Sequence, residues 1–126
     1  MYAAKRYRSN ETNTASKGTL LVMLYDGITK FLRQSKSGFE TGDRAAAHAA
    51  MGRALDIVAY LQATLNEDVD PVIVEALDQT YVSWTAVLAK ASAEADVEKI
   101  ESVVTQVDEL RAAWSVAKSQ VDGGNG

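Results

Sequence analysis

The chain has no cysteine, one proline and one histidine. Each shortage removes a class of answer. Without thiols there is no disulfide framework, no CxxC redox pair, no covalent haem attachment and no cysteine-ligated zinc or iron–sulfur site. A single proline, Pro71, leaves most of the chain free of the residue that most often interrupts helices, and it fits badly with turn-rich all-β folds. The longest unbroken apolar run, Leu20 to Tyr25, is six residues, against the ~20 that a membrane helix needs. Residues 1–15 hold no apolar signal-peptide block, so the expectation is a cytoplasmic chain with no membrane insertion.

Positive charge is also short: 13 basic side chains stand against 17 acidic ones, for a net −4. That balance disfavours binding along a polyanion and predicts no nucleic-acid partner. The balance is uneven. Lys5, Arg6, Arg8 and Lys17 against Glu11 leave residues 1–18 at +3 and the remainder at −7.

What is present is 126 residues, 47% of them hydrophobic and 24% charged, which suits one soluble domain with one core. Residues 1–15 are polar and aperiodic and are read as an N-terminal arm, flexible or docked. Residues 122–126, with three glycines, are read as a disordered tail. Between them, residues 16–121 carry four helical stretches. Ser16 can cap the first, which Gly42 ends; Asp43 can cap the second, with Met51, Leu55, Val58, Leu61 and Leu65 on one stripe, ending near Glu67. Asp70-Pro71 is the sharpest start signal, because proline's missing amide costs nothing at the first helical position. Val74, Leu77, Tyr81, Trp84, Leu88 and Ala91 then share a face. Asp96 caps the fourth helix, where Ile100, Val103, Val107, Leu110, Trp114, Ala117 and Val121 keep a heptad seam. Four such helices with short turns predict an all-α, antiparallel up-down four-helix bundle. Hairpin arithmetic sets Trp84 near Val103 and Val104, Trp114 near Val74, Leu24 level with Tyr60, and Leu61 level with Leu77.

Candidate chemistry is thin. A di-iron bundle site needs inward Glu-x-x-His pairs, but His48 is the sole histidine and Ala45 stands where the glutamate belongs, so no metal or other cofactor is expected. His48, among alanines, reads as a partly exposed surface residue. Glu98/Glu101 and Asp108/Glu109 fall in the polar gaps of the heptad and read as a solvated face. A small helical enzyme of the chorismate mutase kind would need cations pointing into the bundle; Arg33, Arg53, Lys90 and Arg111 are the candidates, each equally able to snorkel at the surface.

The anomaly is apolar excess. Leu20 to Tyr25 spans more than one turn, so the first helix is apolar all round, and Ile57 to Leu61 repeat the effect. One seam cannot cover both stretches. Either alanine-lined contacts and boundary tyrosines absorb the surplus, or it faces solvent, the arm or a partner, the last in a helix-in-groove mode.

The residues resemble a known family. Tyr7, then Asn13-Thr14-Ala15-Ser16, Leu20 and Met23-Leu24-Tyr25-Asp26-Gly27 form its most specific string. Ala54, Ile57, Leu61, Thr64-Leu65-Asn66, Leu77, Tyr81, Leu88, Ala91, Leu110-Arg111 and Ala113-Trp114 continue it. Over about residues 2–118 the chain resembles the flagellar export chaperone FliS family. It departs at Lys17-Gly18-Thr19, at Ala86-Val87 and at Ser92, where the family favours a proline with acidic residues, an arginine pair and an asparagine. The resemblance implies a non-catalytic bundle that binds the C-terminal segment of flagellin, prevents premature polymerisation and assists delivery to the type III export apparatus, with the export gate as a further partner; self-association is left open. It implies a client surface on the apolar stretches. The candidates are Tyr7 on the arm, which the family pattern sets over part of the client groove, then Leu21, Leu24, Tyr25 and Ile28, then Ile57, Tyr60, Leu61 and Leu65, and Tyr81.

Overall fold

Three aspartates set the helix boundaries, as their positions predict. A computed structural model describes the backbone of residues 14–65 and 70–125. It contains α1 (Thr14–Thr41), α2 (Arg44–Ala63), α3 (Pro71–Glu94) and α4 (Val97–Asn125). Asp43 accepts the Ala46 amide at 3.1 Å, Asp70 that of Val72 at 2.9 Å and Asp96 that of Lys99 at 3.1 Å. Each carboxylate satisfies an amide that the first helical turn leaves unpaired.

The two hairpin turns are built alike. Gly42, at φ 82°, closes α1 as the Asp43 amide reaches back to the Gly38 carbonyl at 2.8 Å and the Gly42 amide to Phe39 at 3.3 Å. Ala95, at φ 53°, closes α3 as Asp96 bonds Ala91 at 2.8 Å and Ala95 bonds Ser92 at 3.4 Å. Both are Schellman closures whose last residue also caps the next helix, so the linkers are as short as helix geometry permits. We refer to the end holding both turns as the closed end, and to the Thr64–Asp70 end as the open end.

Helix limits differ from expectation at three places. Helix α1 begins at Thr14, so Ser16 lies inside its first turn and Gly18 is carried within the helix. Helix α2 stops at Ala63, with the Thr64 hydroxyl bonded to the Tyr60 carbonyl at 2.9 Å. Helix α4 continues through Gly123 and Gly124 to Asn125, because the backbone bonding pattern needs no side chain and glycine weakens a helix without ending it.

The helices form a ring in chain order, antiparallel at each step, with α4 closing on α1; α1 and α3 lie on one diagonal, α2 and α4 on the other. Gly38 lets α1 and α2 approach: a Cβ there would stand 2.8 Å from the Ala47 backbone nitrogen. The α1–α4 seam carries charge pairs. Arg111 grips Asp26 with two bonds of 2.9 and 3.3 Å, Thr29 donates to Asp108 at 3.0 Å, Arg33 lies 3.7 Å from Asp108, and Lys36 meets Glu101 at 3.4 Å. Glu101 and Asp108 are therefore cross-helix partners, not simply solvated.

The core runs from Leu32, Met51, Leu88 and Ile100 near the closed end to Tyr25, Val58, Leu61 and Tyr81 further along. Toward the open end the apolar stripes remain but their cover thins. Leu55, Leu65, Val74, Leu77, Leu110 and Trp114 are only half-buried, and Ala117 is exposed.

Candidate functional site

Among the described residues, no three His, Cys, Asp or Glu side chains are grouped as metal ligands would be. Arg33 and Arg111 are engaged by surface carboxylates, and Arg53 and Lys90 are exposed. None of these four, the cations that a helical mutase reading relies on, enters the bundle. His48 is exposed, its Nδ1 2.9 Å from Ser92 Oγ and its ring edge-on to Phe39 at 5.2 Å, a peg between α2 and α3 near the closed end.

The centre instead holds four aromatic residues. The hydroxyls of Tyr25 and Tyr81 meet at 2.6 Å across the diagonal, and the Trp84 indole donates to Gln106 at 2.8 Å. Trp84 and Trp114 both meet Tyr25 edge-on, with centroids 6.0 and 6.3 Å away. Helix pairing sets the two indoles at different heights, about two turns apart, as expected. Trp114 finds its aromatic neighbour on α1. Its indole N–H is buried without a well-formed hydrogen bond, yet stands close enough to the Tyr25 hydroxyl to favour its ionised form slightly. Burial dominates, followed for Tyr81 by its tie to Tyr25, and both phenols are pushed above their ordinary range. These hydroxyls stay neutral and structural.

The candidate client residues divide by burial. Tyr25, Ile28, Leu61 and Tyr81 are core, almost wholly removed from solvent, and present no groove in this conformation. They sit at the centre of the inward stripe, where the same apolar character serves packing. Leu21, Leu24, Ile57 and Leu65 are half-buried and Tyr60 is exposed. Tyr7 lies outside the described residues. Helix pairing between Gly27 and Ile57, where a glycine Cβ would stand 3.0 Å from the Ile57 side chain, also brings Leu24 level with Tyr60 as predicted. The α2–α3 bonds from His48 to Ser92 and Gln62 to Asp78 instead set Leu61 nearer Gln79 than Leu77.

Exposed apolar residues gather at the open half. Leu20 is 46% exposed, Met23 64%, Tyr60 49% and Val72 74%, with Ile73 and Val116 beside them in height and Val82 in mid-helix. By helix periodicity from the Gly27–Ile57 approach, Leu20, Met23 and Leu24 of α1 and Ile57 and Tyr60 of α2 share a strip along the α1–α2 seam. A shallow cleft between the end of α2 and the start of α3 is lined by Leu65, Pro71, Val74 and Glu75 and spanned by the Gln62–Asp78 bond of 2.9 Å. Of the exposed apolar residues, Tyr60 alone was a candidate; Leu20, Met23, Val72, Ile73, Val82 and Val116 were not. Their signal was present: each is a large apolar residue off its helix's inward stripe.

Among the described residues, no helix is long and apolar enough to cross a membrane. The model of the family described as flagellar protein FliS matches residues 1–121. Three proteins named flagellar secretion chaperone FliS are similar. The one from Bacillus subtilis is 29% identical over 111 residues, 88% of this chain and 82% of that protein. The one from Vibrio cholerae is 26% identical over 105 residues, 83% and 77% of the two chains. The one from Salmonella typhimurium is 28% identical over 102 residues, 80% and 76%. A closed, well-packed end, an open end with uncovered apolar groups and the absence of an inward reactive cluster among the described residues agree with that company, and the chain belongs to the FliS family of flagellar secretion chaperones.

Proposed function

We propose that this chain binds the C-terminal segment of flagellin in the cytoplasm, keeps it from polymerising early and helps pass it to the flagellar export apparatus and its gate. The observation that carries the reading is the polarity of the bundle: Leu32, Leu88 and Ile100 are fully buried near the closed end, while Leu20, Met23 and Tyr60 stand exposed toward the other. An amphipathic client segment laid on that strip buries these groups at roughly 1 kcal/mol each, about half the value for a fully exposed large side chain because each is already partly covered. Three or four such contacts match in size the ~2–5 kcal/mol that ordering a disordered segment costs. The role is one of binding, not catalysis. Tyr7 is retained as a client contact on the family pattern alone.

The test is affinity purification from cells making flagellin. Stoichiometric recovery of flagellin, lost when its C-terminal segment is removed, supports the reading. Recovery that is unchanged by that truncation contradicts it.

A further inference from the structure

One charged feature is not accounted for by packing. Lys30 of α1 and Arg53 of α2 are both exposed and converge on one half-buried ring, with Lys30 Nζ 5.5 Å and the Arg53 guanidinium carbon 5.7 Å from the Phe31 centroid. Among the described residues neither has a carboxylate at ion-pair distance or a hydrogen bond. Asp26, one turn from Lys30, is already held through both carboxylate oxygens by Arg111 Nε and Nη2, and Asp56, three residues from Arg53, is in no ion pair among the described residues. Two cations with free donors therefore stand together on a protein of net charge −4.

Their place is informative. Phe31 follows Leu24 and Gly27 on the α2-facing side of α1, and Arg53 precedes Ile57 and Tyr60 on the α1-facing side of α2. The pair lies at the closed-end limit of the apolar strip. An arginine presents a planar fork and a lysine a mobile point charge, and both favour carboxylates. The ring holds the cations at its surface without using their hydrogen-bond donors.

We propose that Lys30 and Arg53 bind side-chain carboxylates of the segment that lies on this strip. The occupant is thus an amphipathic helix with an acidic residue about seven positions, or two turns, from the apolar residue that covers Leu24 and Tyr60. The inference rests on the flagellin-binding reading and adds to it a charge requirement and a register. The apolar strip supplies affinity; the two cations decide which acidic segment fits and how it is aligned.

The experiment titrates the full chain with the flagellin C-terminal segment at about 50 mM and about 500 mM NaCl, salt that shortens charge interactions to a few ångströms. Lys30→Glu/Arg53→Glu is expected to weaken binding roughly tenfold at low salt and about twofold or less at high salt, in keeping with exposed pairs. Lys30→Gln/Arg53→Gln is expected to show a smaller loss in the same direction, and Lys30→Arg/Arg53→Lys to keep the affinity; thermal melts confirm that each folds. Amidating the segment's C-terminus leaves the salt dependence unchanged if the carboxylates are side chains, and abolishing it by amidation overturns that assignment. Wild-type affinity for both charge-altered variants at low salt overturns the proposal. If Met23→Asp/Tyr60→Asp still abolishes binding in that case, the apolar reading survives alone. A wild-type chain that does not bind the segment at either salt overturns both.

Discussion

Tyr25 and Tyr81 share a buried hydrogen bond, 2.6 Å between hydroxyl oxygens, that ties together the two diagonal helices of the bundle. Neither ring reaches solvent. Removing one hydroxyl strands the other away from water, which costs about 1–3 kcal/mol for an unsatisfied buried group. Tyr25→Phe is expected to cost more than Tyr81→Phe, because the Trp114 N–H stands close to the Tyr25 hydroxyl and not to that of Tyr81. The double Phe variant is expected to lose less than the sum of the singles. Urea unfolding of the four proteins measures each term.

The same pair predicts alkaline sensitivity. Both phenols are held above their ordinary value of 10.0, chiefly by burial. Below that value the unfolded and folded tyrosines are equally protonated and stability does not change on their account. Above it the unfolded chain releases protons that the folded chain keeps, so stability falls as pH rises. Unfolding midpoints between about pH 8 and 11 are expected to decline past pH ~10, and less steeply for the double Phe variant.

The two hairpin turns differ in fitness. Ala95 occupies the left-handed region at φ 53° where the equivalent residue of the other turn is Gly42. A side chain costs ~1–2 kcal/mol in that conformation. Ala95→Gly is therefore expected to stabilise the protein by about 1 kcal/mol, and Gly42→Ala, with nothing within 4 Å to clash, to destabilise it by a similar amount through backbone strain alone. Differential scanning calorimetry reads both.

Two helical glycines make a second contrast. A Cβ at Gly38 would meet Ala47 backbone atoms at 2.8 and 2.9 Å, so Gly38→Ala must push α1 and α2 apart at an expected loss of about 1–3 kcal/mol. Gly52 has open space around it, so Gly52→Ala is expected to gain roughly 0.5–1 kcal/mol from helix propensity. Opposite shifts in the urea midpoint are the expected result.

Much of the fold was legible because its signals are local. Asp43, Asp70 and Asp96 each act within three residues, so a carboxylate before a periodic stretch is enough to place a helix start. Inward stripes such as Tyr81, Trp84, Leu88 and Ala91 follow from spacing, and all four are buried. The site was less legible. Leu20 to Tyr25 occupies every face of a turn, and periodicity has no means of choosing Tyr25 for the core and Met23 for the surface; that depends on how α1 rotates against α2 and α4. The Asp26–Arg111 and Lys36–Glu101 pairs join residues far apart in the chain, and only the packed bundle brings them together. Val72 and Ile73 stand in the first turn after Asp70-Pro71, off the inward stripe that begins at Val74, and spacing alone does not say whether a neighbouring helix covers them.

The most direct measurement is the dissociation constant for the flagellin C-terminal segment, by calorimetry, of the wild-type chain and of Met23→Asp/Tyr60→Asp. Both substituted side chains are exposed, so the variant is expected to fold with an unchanged melting temperature. Placing two carboxylates on the apolar strip is expected to weaken binding by roughly 100-fold or more, since each puts an unpaired charge under the client. A folded variant that binds the segment with wild-type affinity would contradict the account, because the client would then lie elsewhere on the bundle.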